Sequence, residues 1–370
     1  MKKILYCMHV GWNWIKQRPH FIAEELAKEY DVIVISDYNY RVKTHHKGDA
    51  QNLRIKNFYK IPKIDSTKHL CKVNVFLRKL YYLKYIKSEN PDCIYVMTPE
   101  AINYIPTWYT GVVIYDCMDD MLSFDFTQRK YNQLFEAENN LINRSDIVCV
   151  SSENLKSKLK ERYSKTYNNK YVLVRNGYSG ETKSFFATPI IQKEKKRHII
   201  CYFGTIASWM NFDYILKSLQ DLDNIEYLLI GPKQAGVKVP SHSRIKYSGS
   251  IAHEDLYEAT KDVDAFIMPF VLNDLILSVD PVKLYEYINF NRNIICVEYP
   301  EVERFSRFVY FYSDYESYID SIKKAALGTK IKYSIEEQKE FLKSNTWSVR
   351  VKDIEEVLNR KLNDCTNKTE

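Results

Sequence analysis

A loop of bulky apolar residues, Met268-Pro269-Phe270-Val271-Leu272-Asn273, is followed by Ser278-Val279-Asp280-Pro281-Val282-Lys283-Leu284-Tyr285-Glu286-Tyr287. Pro281 suits the first position of a helix, where the missing amide hydrogen costs nothing, and Asp280 suits the N-cap. A helix starting there offers free N–H groups and a partial positive charge, a ready seat for a diphosphate. Lys283 in that first turn is unfavourable unless an anion joins it. Glu286 lies three residues on, on the same face and one turn deeper, where a carboxylate can hold ribose hydroxyls. The same spacing also fits a plain surface pair between Lys283 and Glu286.

Three further loops carry reactive types. His9-Val10-Gly11-Trp12-Asn13-Trp14 leads to Gln17-Arg18-Pro19-His20. Gly11 permits close approach of the backbone to a ligand, Trp12 and Trp14 offer flat faces to a sugar or base, and Arg18 sits at a helix start where it could meet an anion. A turn with aromatic packing explains the same residues without a ligand. The spacing is not G-x-G-x-x-G, so the dinucleotide fingerprint is absent. Tyr115-Asp116-Cys117-Met118-Asp119-Asp120 puts three acids at the end of an apolar run. Buried acids there are costly unless paired or used, and one could accept a proton from an acceptor hydroxyl. Helix capping by Asp119 or Asp120 is the plainer alternative, and a D-x-D-like metal site a weaker one. Phe203-Gly204-Thr205 closes another apolar run, where glycine and a hydroxyl suit a phosphate contact or a tight turn; Ile230-Gly231-Pro232 ends the next run in the same manner.

The elements that must position these loops follow from periodicity. Apolar runs at Lys3–Met8, Asp31–Ser36, Cys93–Met97, Val112–Cys117, Asp146–Val150 and Tyr171–Val174 read as strands. A second set covers His198–Phe203, Glu226–Ile230, Arg244–Tyr247, Asp264–Met268, Asn293–Val297 and Val309–Tyr312. Helix-period segments lie between them, which predicts α/β architecture with parallel sheets covered on both faces. The alternation pauses at Ser179–Arg197, with Gly180, Pro189 and the charged run Lys193–Arg197. That linker divides the 370 residues into two doubly wound, Rossmann-like domains, 1–180 and 195–345, followed by an amphipathic helix within 346–364. In such domains ligands bind at the carboxyl ends of the strands, in the cleft between the two.

Composition narrows the class. The chain is 45% hydrophobic and 27% charged, which excludes disordered and fibrous folds. No apolar run is long enough to span a membrane, and the basic start Met1-Lys2-Lys3 lacks the cleavage site of a signal peptide. Eight cysteines without C-x-x-C spacing read as buried thiols of a reducing cytosol rather than disulfides or zinc ligands. The net charge is +7, yet Arg41–Asn90 alone carries +10, which points to an anionic partner. Within it Leu70, Val73, Leu77, Leu80 and Lys84 share a helical face, predicting attachment of residues 41–90 to an anionic membrane surface.

Taken in order along the chain, these motifs resemble GT-B glycosyltransferases, specifically bacterial family 4-like enzymes of capsular and teichuronic polysaccharide synthesis. The resemblance covers nearly the whole length. It rests on Trp12-Asn13-Trp14…Gln17-Arg18-Pro19-His20, Tyr115–Asp120, Ser145-Asp146…Ser151-Ser152, Arg175-Asn176-Gly177, Tyr202-Phe203-Gly204, Pro281–Tyr287 and Thr346-Trp347. It implies a nucleotide-sugar donor, with UDP as the nucleotide, held by the second domain, and a glycan or lipid-linked acceptor held by the first. The last helix would cross back to the first domain. It further implies Gly204, Thr205, Asp280, Pro281, Val282 and Lys283 around the phosphates and Glu286 on the ribose. Asp119 would be the catalytic base, with Gly11, Trp12, Asn13, Arg18 and Asp120 in the donor or acceptor loops. No metal or other cofactor is implied, the partners exclude nucleic acid, and the location is cytoplasmic, on the inner face of the plasma membrane. Two departures stand out: Ser278 occupies the position of the first acid of the family's E-x7-E pattern, and Ser208-Trp209-Met210-Asn211 replaces its basic pair. Lys283 and Arg18 are left as the phosphate cations, and retention or inversion stays open. An epimerase or phosphorylase-like enzyme, or a non-catalytic sugar- or nucleic-acid-binding module, would be the rival readings.

Overall fold

The computed structural model describes residues 1–14, 16–38, 40, 51–61, 71–163, 170–180, 197–252 and 255–366. The expected linker falls mostly at 181–196, and much of the basic segment at 41–50 and 62–70, outside the described residues. The chain packs as two units: Met1–Gly177 with Trp347–Glu370, and Tyr178–Thr346.

Among the described residues, the first unit is built on seven parallel strands: β1 (Lys3–Cys7), β2 (Asp31–Asp37), β3 (Leu53–Phe58), β4 (Cys93–Val96), β5 (Val112–Cys117), β6 (Ile147–Val150) and β7 (Tyr171–Leu173). Their order is β3-β2-β1-β4-β5-β6-β7. Most of these strands are buried from end to end because helices cover both faces, as their unbroken Val, Ile and Tyr runs require. The two edge strands, β3 and β7, are the exceptions, and β3 has no counterpart in the apolar-run pattern. It is an edge strand whose sequence alternates charge with apolar residues and whose side chains are mostly half-buried.

The second unit repeats the plan with six strands, β8 (His198–Phe203), β9 (Ile225–Ile230), β10 (Ile245–Gly249), β11 (Ala265–Met268), β12 (Asn293–Val297) and β13 (Val309–Tyr312). Their order is β10-β9-β8-β11-β12-β13. In each unit the winding reverses once, beside β1 and β4 in the first and beside β8 and β11 in the second. A reversal opens a crevice beyond the carboxyl ends of the two strands, because their loops leave toward opposite faces. The Gly11 and Gly204 loops follow β1 and β8, so both lie at these points.

Ten α-helices are described, α1 (Arg18–Leu26), α2 (Cys71–Glu89), α3 (Gln128–Arg144), α4 (Glu153–Arg162), α5 (Phe212–Asp221), α6 (Leu256–Thr260), α7 (Val282–Asn289), α8 (Tyr315–Ala325), α9 (Ile335–Ser344) and α10 (Trp347–Thr366). None is long and apolar enough to cross a membrane. α10 belongs to the first unit. Its buried residues Trp347, Val351, Ile354, Leu358 and Leu362 recur at i, i+4, i+7, i+11 and i+15 and join the first unit's core against α1, β5 and β6. Trp347 stacks on Phe21 of α1, with ring centroids 5.5 Å apart. Cys7, Cys93, Cys117, Cys149, Cys201 and Cys296 are free and buried, and burial pushes the Cys7 thiol up to about 12. Truncation Ile354→Ala should cost about 2–5 kcal/mol of stability, read in a urea titration, since Ile354 is fully enclosed.

Candidate functional site

The second unit assembles its candidate site from two glycines and a lysine. β8 ends in Gly204 at φ +139° and β9 ends in Gly231 at φ +135°, a backbone conformation that side chains rarely tolerate. A Cβ on Gly204 would collide with Cε of Lys283 and stand 2.9 Å from its Nζ. A Cβ on Gly231 would collide with the Gly204 carbonyl. The bare backbone of the first turn therefore lets the Lys283 side chain lie directly over Gly204. Its ammonium is 5.9 Å from the centre of the Tyr202 ring. Lys283 has no hydrogen bond or ion pair among the described residues, and the plain surface pair with Glu286 is not formed. Burial lowers the lysine's pKa below its ordinary value, while the Glu286 carboxylate opposes that shift.

Pro281, not Asp280, is the residue that caps α7, and among the described residues no side-chain cap bonds the first N–H groups of that helix. Asp280 has a different task. Its carboxylate is fully enclosed and pairs with Arg304, whose guanidinium also donates to the Tyr285 hydroxyl at 2.6 Å. This pair locks the approach to α7 onto the turn Pro300–Phe305, so Asp280 leaves the phosphate set. The Gly204 N–H is also committed, donating to the Ile230 carbonyl at 2.9 Å. Thr205, next in the chain, is exposed. Val282 is exposed at the helix start and Glu286 half-buried one turn on. Where the basic pair is missing, Trp209 accepts at its carbonyl from the Val271 N–H (2.7 Å), joining the loops after β8 and β11.

In the first unit the residues sort differently. Trp12 is only 3% exposed, sits in the core and packs on the His20 ring at 5.1 Å. Its N–H donates to Ser36 Oγ at 3.2 Å, and Gly11 accepts from the Trp14 N–H at 2.9 Å. Asn13 is buried as well. The turn with aromatic packing is thus what forms, and the Trp12 face is spent inside the unit. Arg18 is likewise consumed: Nε and Nη2 grip Asp116 at 3.1 and 2.7 Å, and Nη1 donates to the Val174 carbonyl (2.8 Å) and to Asn176 Oδ1 (3.2 Å). With both partners fully enclosed, the guanidinium is a fixture of the core and not a phosphate cation. Burial acts against its charge, but Asp116 outweighs burial and raises its pKa.

The acidic loop after β5 is held at both ends. Asp116 is bound by Arg18, and Asp120 by Arg162 in a two-pronged contact of 3.0 and 3.0 Å, with Ser123 Oγ at 2.7 Å. Burial alone would raise the Asp120 pKa, yet Arg162, Ser123 and Lys158 hold it below the usual value. Glu138 of α3 backs the same arginine and accepts from the Tyr115 and Tyr163 hydroxyls at 2.7 and 2.6 Å. Asp119, between the anchored acids, is half-buried and its carboxylate has no partner among the described residues. Burial raises its pKa, and Asp116 and Asp120 add to the rise against the pull of Arg18. Such a carboxylate is poised to take a proton.

Sequence reasoning missed Arg162, Glu138 and Arg304, which hold the site's loops. Lys158 and Arg162 are spaced i, i+4 on α4, a signal that one helical face meets an anion; the buried Glu138 left none.

No protein-family profile and no curated protein matches the sequence. Solved structures do. Sucrose-phosphate synthase from Thermosynechococcus elongatus superposes with a TM-score of 0.74 at 11% identity, over 99% of this chain and 100% of that one. The lipopolysaccharide outer core galactosyltransferase WaaB gives 0.65 at 11%, over 97% and 99%. Anabaena HepE, in complex with UDP and glucose, gives 0.64 at 13%, over 97% and 100%. The fold is GT-B.

Three expectations follow. Arg162→Ala leaves the buried Asp120 with only Ser123 and the more distant Lys158, and should cost about 3 kcal/mol in chemical denaturation at neutral pH. Because the Asp120 pKa is depressed on folding, its contribution is present above the unfolded value of about 4 and lost as pH falls through the folded one. Asp120→Asn should therefore flatten the acid limb of a stability–pH curve. Gly231→Ala should lower the melting temperature and loosen the Gly204 turn, the strain being about 1–3 kcal/mol.

Proposed function

We propose that this protein is a glycosyltransferase that moves a sugar from a nucleotide-sugar donor, a UDP-sugar, to a glycan or lipid-linked glycan acceptor in the synthesis of bacterial surface polysaccharide. The observation that carries the reading is the Lys283 ammonium, without a partner among the described residues, laid over Gly204 beside the uncapped start of α7. An amine partly removed from water and left unpaired is unfavourable, and a diphosphate supplies the missing counter-charge. Support comes also from the fold, which HepE uses in complex with UDP and glucose.

In this reading the acceptor hydroxyl oxygen bonds to the anomeric carbon while the bond from that carbon to the diphosphate oxygen breaks. Lys283 and the N–H groups of Val282 and its neighbours meet the charge that gathers on the leaving diphosphate. Glu286 holds the ribose hydroxyls, with Thr205 beside the phosphates. Asp119 takes the proton of the acceptor hydroxyl, which calls for an acid whose charge is not already spent on an arginine. We assign the neutralisation of the leaving charge to the lysine and the start of the helix. Dialysis against EDTA should leave turnover unchanged.

Calorimetry should find UDP binding weakened about 10- to 100-fold in Lys283→Ala, the loss of one hydrogen bond to a charged group. Normal binding in that variant would remove the donor assignment. Asp119→Asn should retain UDP affinity yet lose about 100- to 10,000-fold in kcat. In the wild type, kcat should fall as pH drops through a value above the ordinary aspartate pKa of about 4. That limb should vanish in Asp119→Asn.

A further inference from the structure

Helix α2 carries apolar residues on both its inner and its outer side. Its inner side is fixed by Asn74, Tyr82 and Ile86, which are buried, and by Arg78, which grips Asp37 at 2.6 and 2.7 Å. Its outer face mixes apolar side chains with lysines. Val73, Phe76 and Leu80 are 37%, 60% and 48% exposed, and they continue as Lys84 and Lys87 at i+11 and i+14 from Val73. The outward stripe anticipated from Leu70 and Leu77 is thus different: Leu70 lies outside the described residues and Leu77 is half-buried, so Phe76 takes its place.

The apolar surface extends beyond the helix. Asn74 bonds both the N–H and the carbonyl of Ile61, at 3.1 and 3.2 Å, which seats the exposed Ile61 beside α2. Tyr59, 58% exposed and two residues earlier, packs against Tyr38 at 5.0 Å. Contiguous exposed aromatic and branched side chains of this kind are uncommon on a surface meant only for water.

The charge around the patch is of one sign. Lys79, Lys84 and Lys87 are exposed and make no ion pair among the described residues, Lys84 standing 5.5 Å from the centre of the Tyr85 ring. The nearby acids are already engaged, Asp37 with Lys60 and Arg78, and Glu89 with Lys3 and Arg54. A second copy meeting this face across a two-fold axis would bring like charges together. An anionic bilayer satisfies both halves at once, taking Val73, Phe76 and Leu80 into the acyl boundary and the lysines at its head groups.

We infer that the outer face of α2, with Tyr59 and Ile61, docks this protein on an anionic lipid surface. The inference goes beyond the transferase reading and does not rest on it. The test is co-flotation of the full chain with phosphatidylcholine vesicles, with and without phosphatidylglycerol, at low and high salt. Binding should require phosphatidylglycerol, fall with salt, and drop about fivefold for each of Lys79, Lys84 and Lys87 changed to Gln. The double variant Phe76→Ser, Leu80→Ser should abolish flotation while UDP affinity in vesicle-free buffer stays at the wild-type value. Flotation indifferent to phosphatidylglycerol, or unaltered in these variants, would overturn the inference. So would a concentration-dependent dimer, seen by light scattering, that the Phe76→Ser, Leu80→Ser pair dissolves. UDP affinity of the wild type reports separately on the transferase reading, so either idea can fail alone.

Discussion

The absence of a side chain at Gly204 is the constraint on which the second unit's site depends. A Cβ there would push the Lys283 stem off the strand end, and a Cβ at Gly231 would meet the Gly204 backbone. Positive φ at both positions bends the ends of β8 and β9 so that one glycine backs the other. The lysine is thereby brought over the strand end at the point where the sheet order reverses. Position comes from steric emptiness, and charge from a single amine.

The first unit reaches the opposite kind of order. There an acidic loop is held by two buried arginines, Arg18 on Asp116 and Arg162 on Asp120. Each arginine neutralises one carboxylate and leaves Asp119 as the one acid of the three without a partner among the described residues. Buried ion pairs of this kind contribute modestly to stability because desolvation offsets attraction. Their value here is geometric, since two anchors three and one residues away from Asp119 leave its backbone little freedom.

Much of the fold was legible because both sheets are parallel and buried, so strands appear as apolar runs. β3 escaped because an edge strand carries Arg54 and Lys56 among its apolar residues. The glycines, Lys283 and Asp119 were legible as residue types at strand ends. What the pattern could not tell was which charged groups were already spent. Arg18 looks in sequence like a phosphate cation and Asp280 like the cap of the phosphate-facing helix, but their partners Asp116 and Arg304 lie 98 and 24 residues away. Trp12 was misjudged for a related reason, since an aromatic ring at a strand end serves a core as readily as a sugar. On α2 the apolar residues were visible, but which of them face outward depends on the Arg78–Asp37 grip that sets the helix's rotation.

Because α10 completes the first unit, that unit is made from two stretches of chain separated by the whole of the second. On the ribosome, residues 1–177 emerge with α1, β5 and β6 in place but without Trp347, Val351, Ile354, Leu358 and Leu362 to seal them. At roughly 5–20 residues per second the wait for those side chains is on the order of ten to thirty seconds. The second unit, contiguous in sequence, faces no such delay. The half that starts synthesis first is therefore the half that finishes folding last, and its open apolar face is where a chaperone would be needed.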